Sequence, residues 1–353
     1  MSQKTKAIAL LSGGLDSTLA VKLMLDQGID VVALNFTTPF CNCTARSSSC
    51  KHEATRVAKE FGIPVKVVAK GMDYLKLVEK PRHGYGRALN PCIDCRIFMH
   101  TAAREMMEAE GASFLVTGEV LGQRPMSQRR PTMEIIERES GTRDLILRPL
   151  SARHFPPTRV EREGLVDREK LLGIQGRSRK EQIRLAEELG VSDYPCPAGG
   201  CLLTDPEFAG RLTDLFANKP SYDLRDVRLL RTGRHFRLHP GLKVLVGRNQ
   251  EENEVLRQAA NDGTTLFRGN GFNGPTALTR ELPTPDDEIV IARLLLRYAN
   301  VAAGGVAISS AAGSRTIEVS SPLAEQELER LRIAPYVKPA APAQKPEAET
   351  CPA

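Results

Sequence analysis

The sequence predicts an α/β fold, a parallel sheet with helices on both faces, followed by a second, smaller α+β domain. Three observations lead there. Short β-branched apolar runs recur through the first half, amphipathic stretches that close on glycine separate them, and the texture changes near residue 222. The runs are AIALL (7–11), VVALNF (31–36), VKVVA (65–69) and FLVTG (114–118), each read as a buried strand. Between them, TLAVKLMLDQG, EATRVAKEFG and IFMHTAAREMMEAEG carry apolar residues at three-to-four spacing and stop at Gly, as helices do. This βαβαβαβ alternation requires right-handed crossovers and puts ligands at the carboxyl ends of the strands.

Further along, LILRPL (145–150) is one more strand, and GRSRKEQIRLAEELG is an amphipathic helix with a basic start. The segment DVRLLRTGRHFRLHPGLKVLVGR reads as short paired strands around turns, whereas EENEVLRQAA and EIVIARLLLRYA read as helices. The expected organisation is a domain over 1–190, a connecting segment over 191–221 carrying Cys196 and Cys201, an α+β domain over 222–335, and a Pro- and Ala-rich disordered tail over 336–353.

Composition narrows the class. Of 353 residues, 41% are hydrophobic and 26% charged, which excludes disorder along the whole chain. No stretch approaches the roughly 18 to 20 apolar residues of a membrane span, so a cytoplasmic protein with no membrane partner is expected. The net charge of +6 hides local surpluses: residues 121–180 hold 14 basic and 8 acidic residues, and residues 225–248 hold seven basic residues and one acid. Eight cysteines are too few for a disulfide scaffold. In a reducing compartment their clustering suggests metal or sulfur chemistry.

The strongest motif is Ser12-Gly13-Gly14-Leu15-Asp16-Ser17, directly after the first strand and opening the first helix. Two glycines let the backbone turn tightly and bring amides to an anion, and the helix N-terminus adds its dipole. Together they form a pyrophosphate cradle. Ser12 and Ser17 can add hydroxyl donors, and Asp16 suits such a site if Mg²⁺ bridges carboxylate and phosphate. The string resembles that of the PP-loop ATP pyrophosphatases, adenine nucleotide alpha-hydrolase-like enzymes with a Rossmann-like (HUP) sheet. Members of that superfamily adenylate a carbonyl oxygen and then displace AMP with nitrogen or sulfur. The resemblance implies that Ser12, Gly13, Gly14, Leu15, Asp16 and Ser17 bind ATP, with Asp16 catalytic. It also makes Gly118, in Thr117-Gly118-Glu119 at the end of the fourth strand, a contact of the adenylate. Gln123, Arg124 and Ser127, in the polar run that follows, are expected near AMP or the target nucleotide.

A second motif, Asn90-Pro91-Cys92-Ile93-Asp94-Cys95, places two thiols three apart on the first turn of a helix, where they share a face and a lowered pKa. It resembles the NPCxxC string of the tRNA-thiolation enzymes, the 4-thiouridine synthase and 2-thiouridylase groups, in which a downstream Cys completes the site. Cys201, in Cys196-Pro-Ala-Gly-Gly-Cys201, is the expected third thiol and Cys196 its rival. Catalytic Cys92, Cys95 and Cys201 would hold a 4Fe-4S cluster, with a metal-free cysteine persulfide or Zn²⁺ as alternatives. Cys41, Cys43, Cys50 and His52 have the spacing of a second metal site.

Arg129, Arg130, Arg177, Arg179 and Lys180 have the composition for phosphate-backbone contact. LVGRNQEENEVL resembles the RNA-binding segment of NFACT proteins, with Gly247, Arg248, Asn249 and Asn253 carrying the match and Arg248 as an RNA contact. The expected function is an ATP-dependent tRNA sulfurtransferase that adenylates a uridine carbonyl and replaces its oxygen with sulfur. No rhodanese-like active-site loop is recognisable, so sulfur is expected from sulfide, a cysteine desulfurase or a carrier protein. A PP-loop ligase acting on a small carboxylate or deazapurine would not need the basic surplus. A non-catalytic RNA-binding protein would not need an intact Asp16 and Ser17.

Overall fold

A computed structural model describes residues 5–41, 50–192, 194 and 201–338, so Cys43, Cys196 and Cys351 lie outside the described residues, as does the tail beyond Lys338. The chain divides into two compact units, one of residues 1–204 and 221–228, the other of residues 205–220 and 229–353.

In the first unit the order is β1 (Lys6–Leu10), α1 (Leu15–Leu25), β2 (Asp30–Thr37), α2 (Cys50–Glu60), β3 (Val65–Ala69), α3 (Met72–Glu79), α4 (Cys92–Ala109), β4 (Phe114–Thr117), α5 (Arg130–Ser140), β5 (Ile146–Leu147), α6 (Arg159–Arg162) and α7 (Lys180–Glu188). The strands pair in parallel in the order β3-β2-β1-β4-β5, the Rossmann-like sheet expected from the alternation. Alternation along each strand fills both faces. Ala7, Ala9, Val31, Ala33, Phe114 and Val116 pack on one side with Ala20, Val21 and Met24 of α1. Ile8, Leu10, Val32, Leu34 and Leu115 pack on the other with Ala103 and Met107 of α4. The chain runs from β1 to β2 to β3 on one side and resumes at β4 on the other. The switch point therefore lies between β1 and β4, where open α/β sheets bind ligands.

The second unit contains α8 (Pro206–Asn218) and, beyond a short α9 (Leu224–Leu229) at the division, β6 (Arg234–His239), β7 (Leu242–Val246), α10 (Gln250–Ala259), β8 (Thr265–Asn270), β9 (Ala277–Thr279), α11 (Pro285–Ala299), β10 (Gly304–Ser310), β11 (Gly313–Val319) and α12 (Glu325–Leu331). Its six strands form an antiparallel sheet in the order β11-β10-β8-β9-β7-β6. Helix α11 starts in a Thr284–Asp287 capping box with Pro285 in the first turn. It buries Ile291, Leu294 and Leu295 with Phe236, Val244, Phe267 and Val306. Strand pairing begins later than expected from DVRLLRT, because Leu224–Leu229 is helical. The Asp223 carboxylate accepts from the amides of Arg225 and Asp226, which closes the first turn of that helix. No helix among the described residues is long and apolar enough to cross a membrane.

Candidate active site

The loop after β1 is held in shape by its own side chains. Ser17 Oγ donates to the Gly14 carbonyl at 2.9 Å, lies 3.0 Å from Ser12 Oγ, and accepts from the Ser12 amide at 3.2 Å. Both hydroxyls expected to face ATP thus bond within the loop in this structure. Leu15 is buried among Leu19, Val120, Leu150 and Ile174, so it anchors the loop to the core and offers only its backbone outward. Gly13 adopts φ +80°, and a Cβ there would stand 2.4 Å from Glu53 Cβ, so only glycine fits against α2. At Gly118 a Cβ would fall 2.5 Å from the Asp16 carbonyl and the Ser17 amide. Gly118 therefore lets the end of β4 press against the first turn of α1.

Asp16 is the meeting point of three segments. Its Oδ2 accepts from Gln123 Nε2 at 2.8 Å and from Arg179 Nη2 at 3.0 Å. Gln123 is held in turn by Gln182 Nε2 at 3.1 Å, and Gln182 is fully buried on α7. The other carboxylate oxygen, Oδ1, is buried without a hydrogen-bond partner among the described residues. Such an orphaned oxygen beside an anion cradle fits a hard cation, which takes oxygen ligands. Ser127 and Gln128 are buried, and Gln128 Oε1 accepts from the Arg124 amide at 2.9 Å, so the 122–128 loop closes on itself.

Beneath the end of β4 lies a buried charge network. Glu119 Oε2 accepts from Arg148 Nε at 3.2 Å, and Arg96 Nε approaches Oε1 at 3.6 Å. Burial opposes ionisation of Glu119, but Arg96 and Arg148 outweigh it and hold the carboxyl down at about 2. Removing one partner of such a pair strands the other charge, at a typical cost of about 3–5 kcal/mol. Burial holds the adjacent His100 down to about 4, against the pull of Glu119 and with the repulsion of Arg96 and Arg148. Neither of its ring nitrogens has a hydrogen-bond partner among the described residues.

The thiols gather at the same carboxyl edge of the sheet. Helix α4 begins at Cys92, one turn before Cys95. Asp94 between them is structural: its carboxylate accepts from the amides of Arg82 and His83, both at 3.0 Å. Residues 201–204 are stitched into this unit, since the Leu202 amide donates to the Phe40 carbonyl at 2.8 Å and the Leu89 amide to the Leu203 carbonyl at 3.0 Å. Cys201 forms a backbone bridge with Cys41.

Cys95 is the thiol with donors aimed at it. Lys70 Nζ and Tyr74 Oη each donate to its Sγ at 3.1 Å, and Lys70 sits 4.4 Å from the Tyr74 ring centre. Burial pushes the Cys95 thiol up, but Lys70 and the hydrogen bond from Tyr74 pull it down further, so its net pKa falls below the ordinary thiol value. Burial raises Cys92 and pushes Cys201 up to about 12. One cluster of half-buried thiols thus holds one whose pKa is lowered and two whose pKa values are raised. The three feel one another electrostatically, yet among the described residues no group of three or more His, Cys, Asp or Glu side chains is arranged to hold a metal ion. For the second expected metal set, Cys43 is outside the described residues. Cys41 pairs with Cys201 through its backbone, and His52 is exposed near the start of α2.

Of the expected RNA contacts, Arg129, Arg177 and Lys180 are exposed, and Arg130 stacks 5.1 Å from the Phe155 ring. Arg179 is turned to Asp16 instead. In the second unit Arg248 pairs with Glu252 one turn on, at 2.9 and 3.0 Å from Nε. Asn249 caps α10, while buried Asn253 accepts from the Thr276 amide. The motif residues there build a helix start, with Gly247 kept small by Asn253 Oδ1, 2.1 Å from where its Cβ would be. Sequence reasoning did not single out Lys70, Tyr74, Arg96 or Gln182. The available signal was position: Lys70 directly follows the third strand, and Arg96 directly follows the second motif cysteine.

Residues 2–154 match the family model of the thiamine biosynthesis protein ThiI. The chain resembles the PP-loop tRNA-thiolation enzymes. It is 31% identical over 131 residues to the tRNA-specific 2-thiouridylase MnmA of Leptospira biflexa serovar Patoc, covering 33% of this chain and 34% of that protein. It is 34% identical over 146 residues to a probable tRNA sulfurtransferase of Methanothermobacter thermautotrophicus, covering 41% and 36%. The match thus spans about a third of the length of these relatives. Residues 233–332 match the NFACT protein RNA binding domain, where sequence reasoning had placed that resemblance. Among solved structures, a 4-thiouridine synthetase–RNA complex with bound ATP aligns with 25% identity and a TM-score of 0.34, over 53% of this chain and 52% of that one.

Proposed function

We propose that the chain is an ATP-dependent tRNA sulfurtransferase. The observation that carries this reading is the placement, at one carboxyl edge of one sheet, of a PP-loop centred on Asp16 and a half-buried thiol cluster in which two donors face the Cys95 sulfur. An ATP site alone serves many chemistries. A thiol with a lysine and a phenol aimed at it, beside an adenylating loop, serves sulfur transfer.

In the first step the carbonyl oxygen of a uridine attacks the α-phosphorus of ATP. The bond to the bridging oxygen breaks, and pyrophosphate leaves towards the Gly13 and Gly14 amides and the N-terminus of α1. Mg²⁺ held by Asp16 Oδ1 would supply charge neutralisation for that leaving group. Gln123 and Arg179 orient the carboxylate through its other oxygen. No general base is needed, because the attacking oxygen is part of a polarised amide-like group.

Sulfur delivery is best supported in its thiol form. Among the described residues, Cys92, Cys95 and Cys201 do not form a ligand set for a 4Fe-4S cluster. In the thiol form, a donor protein's persulfide transfers its outer sulfur to Cys95 and leaves as a thiol, and the terminal sulfur of the Cys95 persulfide then attacks the adenylated carbon as AMP leaves with the former carbonyl oxygen. Cys92 or Cys201 then attacks the Cys95 sulfur and breaks the S–S bond. Thiouridine is freed, and a protein disulfide remains for a dithiol reductant to reopen. RNA would be held by the exposed Arg177 and Lys180 and by the NFACT-like segment.

Two readouts on one reaction test the reading. Pyrophosphate release should depend on added tRNA, and nucleoside mass spectrometry should find one new thionucleoside per AMP formed. Release that tRNA does not stimulate would point to a small-molecule ligase, and no release to a binding protein.

A further inference from the structure

We infer that Cys41 is a further catalytic thiol: it draws the disulfide off Cys201 after each sulfur transfer and returns Cys95 to its thiol form. This rests on the thiol form of the reading above, with Cys201 as the group that attacks Cys95, and deepens it by naming the next link in the relay.

Placement comes first. Cys41 lies just past the end of β2, and Cys201 stands across from it in an antiparallel bridge. The Leu202 amide donates to the Phe40 carbonyl at 2.8 Å, so the hydrogen bond flanks the cysteine pair instead of joining it. Residues opposite each other in that register are a non-hydrogen-bonded pair, with Cα atoms about 4.5 Å apart and side chains on one face. A disulfide needs Cα atoms about 4.4–6.8 Å apart, so Cys41 and Cys201 can link without moving the backbone. Both carry thiols here, and both are half-buried.

The pair is anchored on each side. The Thr204 amide and hydroxyl donate to the Cys201 carbonyl at 2.9 and 2.7 Å, and the Cys41 amide donates to the Thr38 carbonyl at 3.3 Å. Phe40 is fully buried, with its ring 6.2 Å from that of Tyr74, whose hydroxyl donates to Cys95 Sγ. Cys92, Cys95 and Cys201 all lie within electrostatic reach of that hydroxyl. Cys201 thus has Cys41 across the bridge and shares a tyrosine with Cys95.

The chemistry is a disulfide exchange. Once thiouridine is freed, Cys95 and Cys201 are joined. Cys41 gives its proton to water, and its sulfur attacks Cys201 Sγ. The bond to Cys95 breaks as the Cys41–Cys201 bond forms, and the electron pair leaves with Cys95. Lys70 Nζ and Tyr74 Oη, each 3.1 Å from Cys95 Sγ, receive the departing thiolate, and a stabilised thiolate is the better leaving group. Exchange involves no net oxidation. A dithiol reductant then opens Cys41–Cys201 while Cys95 stands ready for the next persulfide.

The test maps disulfides by peptide mass spectrometry in the full-length protein and in Cys41→Ser. In a glutathione redox buffer without tRNA or ATP, the unaltered protein should form Cys41–Cys201 as its main linkage. The same linkage should be trapped after turnover with tRNA, ATP and a persulfide donor when no reductant is present. In Cys41→Ser the trapped linkage should shift to Cys95–Cys201, and turnover sustained by a dithiol reductant should slow about tenfold or more. If Cys41→Ser does not fold, the linkages of the unaltered protein decide the matter. A trapped linkage that omits Cys41 in the unaltered protein would overturn the proposal, as would undiminished turnover by Cys41→Ser. A protein that formed Cys41–Cys201 in the buffer yet thiolated nothing would lose the proposed function and keep the pairing. One that thiolated tRNA without ever linking Cys41 would keep the function and lose this assignment.

Discussion

Ser12–Ser17 is six consecutive residues whose own hydrogen bonds close the loop, whereas the thiol pocket draws Lys70 from the end of β3, Tyr74 from α3, Cys92 and Cys95 from α4, and Cys201 from a segment more than a hundred residues later. The two sites share a sheet edge but differ in what maintains them. The loop's polar bonds are largely local, so removing the Asp16 carboxylate changes chemistry before it changes structure, whereas Gly13 and Leu15 tie the loop to α2 and the core. The pocket exists only when the fold has brought its pieces together, and its chemistry is set by neighbours such as Lys70 that carry no motif. That difference predicts a division of labour in which the loop makes the adenylate and the pocket supplies sulfur.

The largest effect should come from the loop. Asp16→Ala removes the shared acceptor of Gln123 and Arg179 together with the buried Oδ1, and should abolish both pyrophosphate release and thiolation while tRNA affinity stays within a few-fold. Equal loss of RNA binding would show that the loop and the RNA surface are not separable. The pocket offers a smaller and more selective break. Lys70→Met removes one donor to Cys95 Sγ and should slow thionucleoside formation by about 10- to 100-fold, the effect of losing one hydrogen bond that involves a charged group. Pyrophosphate release should be unchanged, and parallel loss of both would place Lys70 in adenylation.

The smallest effect concerns the buried charges that seat the end of β4. His100 stays neutral in the fold down to about pH 4, while in the unfolded chain it takes a proton near its ordinary value of about 6.5. Between those values the unfolded state binds more protons, so stability falls as pH falls through that window. His100→Gln should flatten this dependence by up to about 1.4 kcal/mol per pH unit between pH 4.5 and 6, measured in urea titrations. An unchanged slope would mean that another group carries the acid sensitivity.

How much of this was legible depended on how local each feature is. The parallel sheet was readable because each βα unit announces itself by periodicity and a terminal glycine, and SGGLDS because its residues are adjacent. Leu224–Leu229 was misread as strand because Val227, Leu229 and Leu230 alternate loosely, while the cap that decides the matter is the single side chain of Asp223. Gly118 was expected at the adenylate, and its packing against Asp16 becomes visible only when β4 lies beside β1. Arg179 was grouped with Arg177 and Lys180 because one-dimensional spacing does not reveal which member of a basic run turns inward. Lys70 and Tyr74 carry no motif at all; only the crossover from β3 into α3 brings them to Cys95.

The most direct test of the division between loop and pocket is the ratio of thionucleoside to pyrophosphate formed by Cys95→Ser with tRNA and a persulfide donor, set against the same ratio for the unaltered protein. The account predicts tRNA-dependent pyrophosphate release at near the unaltered rate with thionucleoside falling to background. Retained thiolation, or loss of pyrophosphate release along with it, would contradict the account.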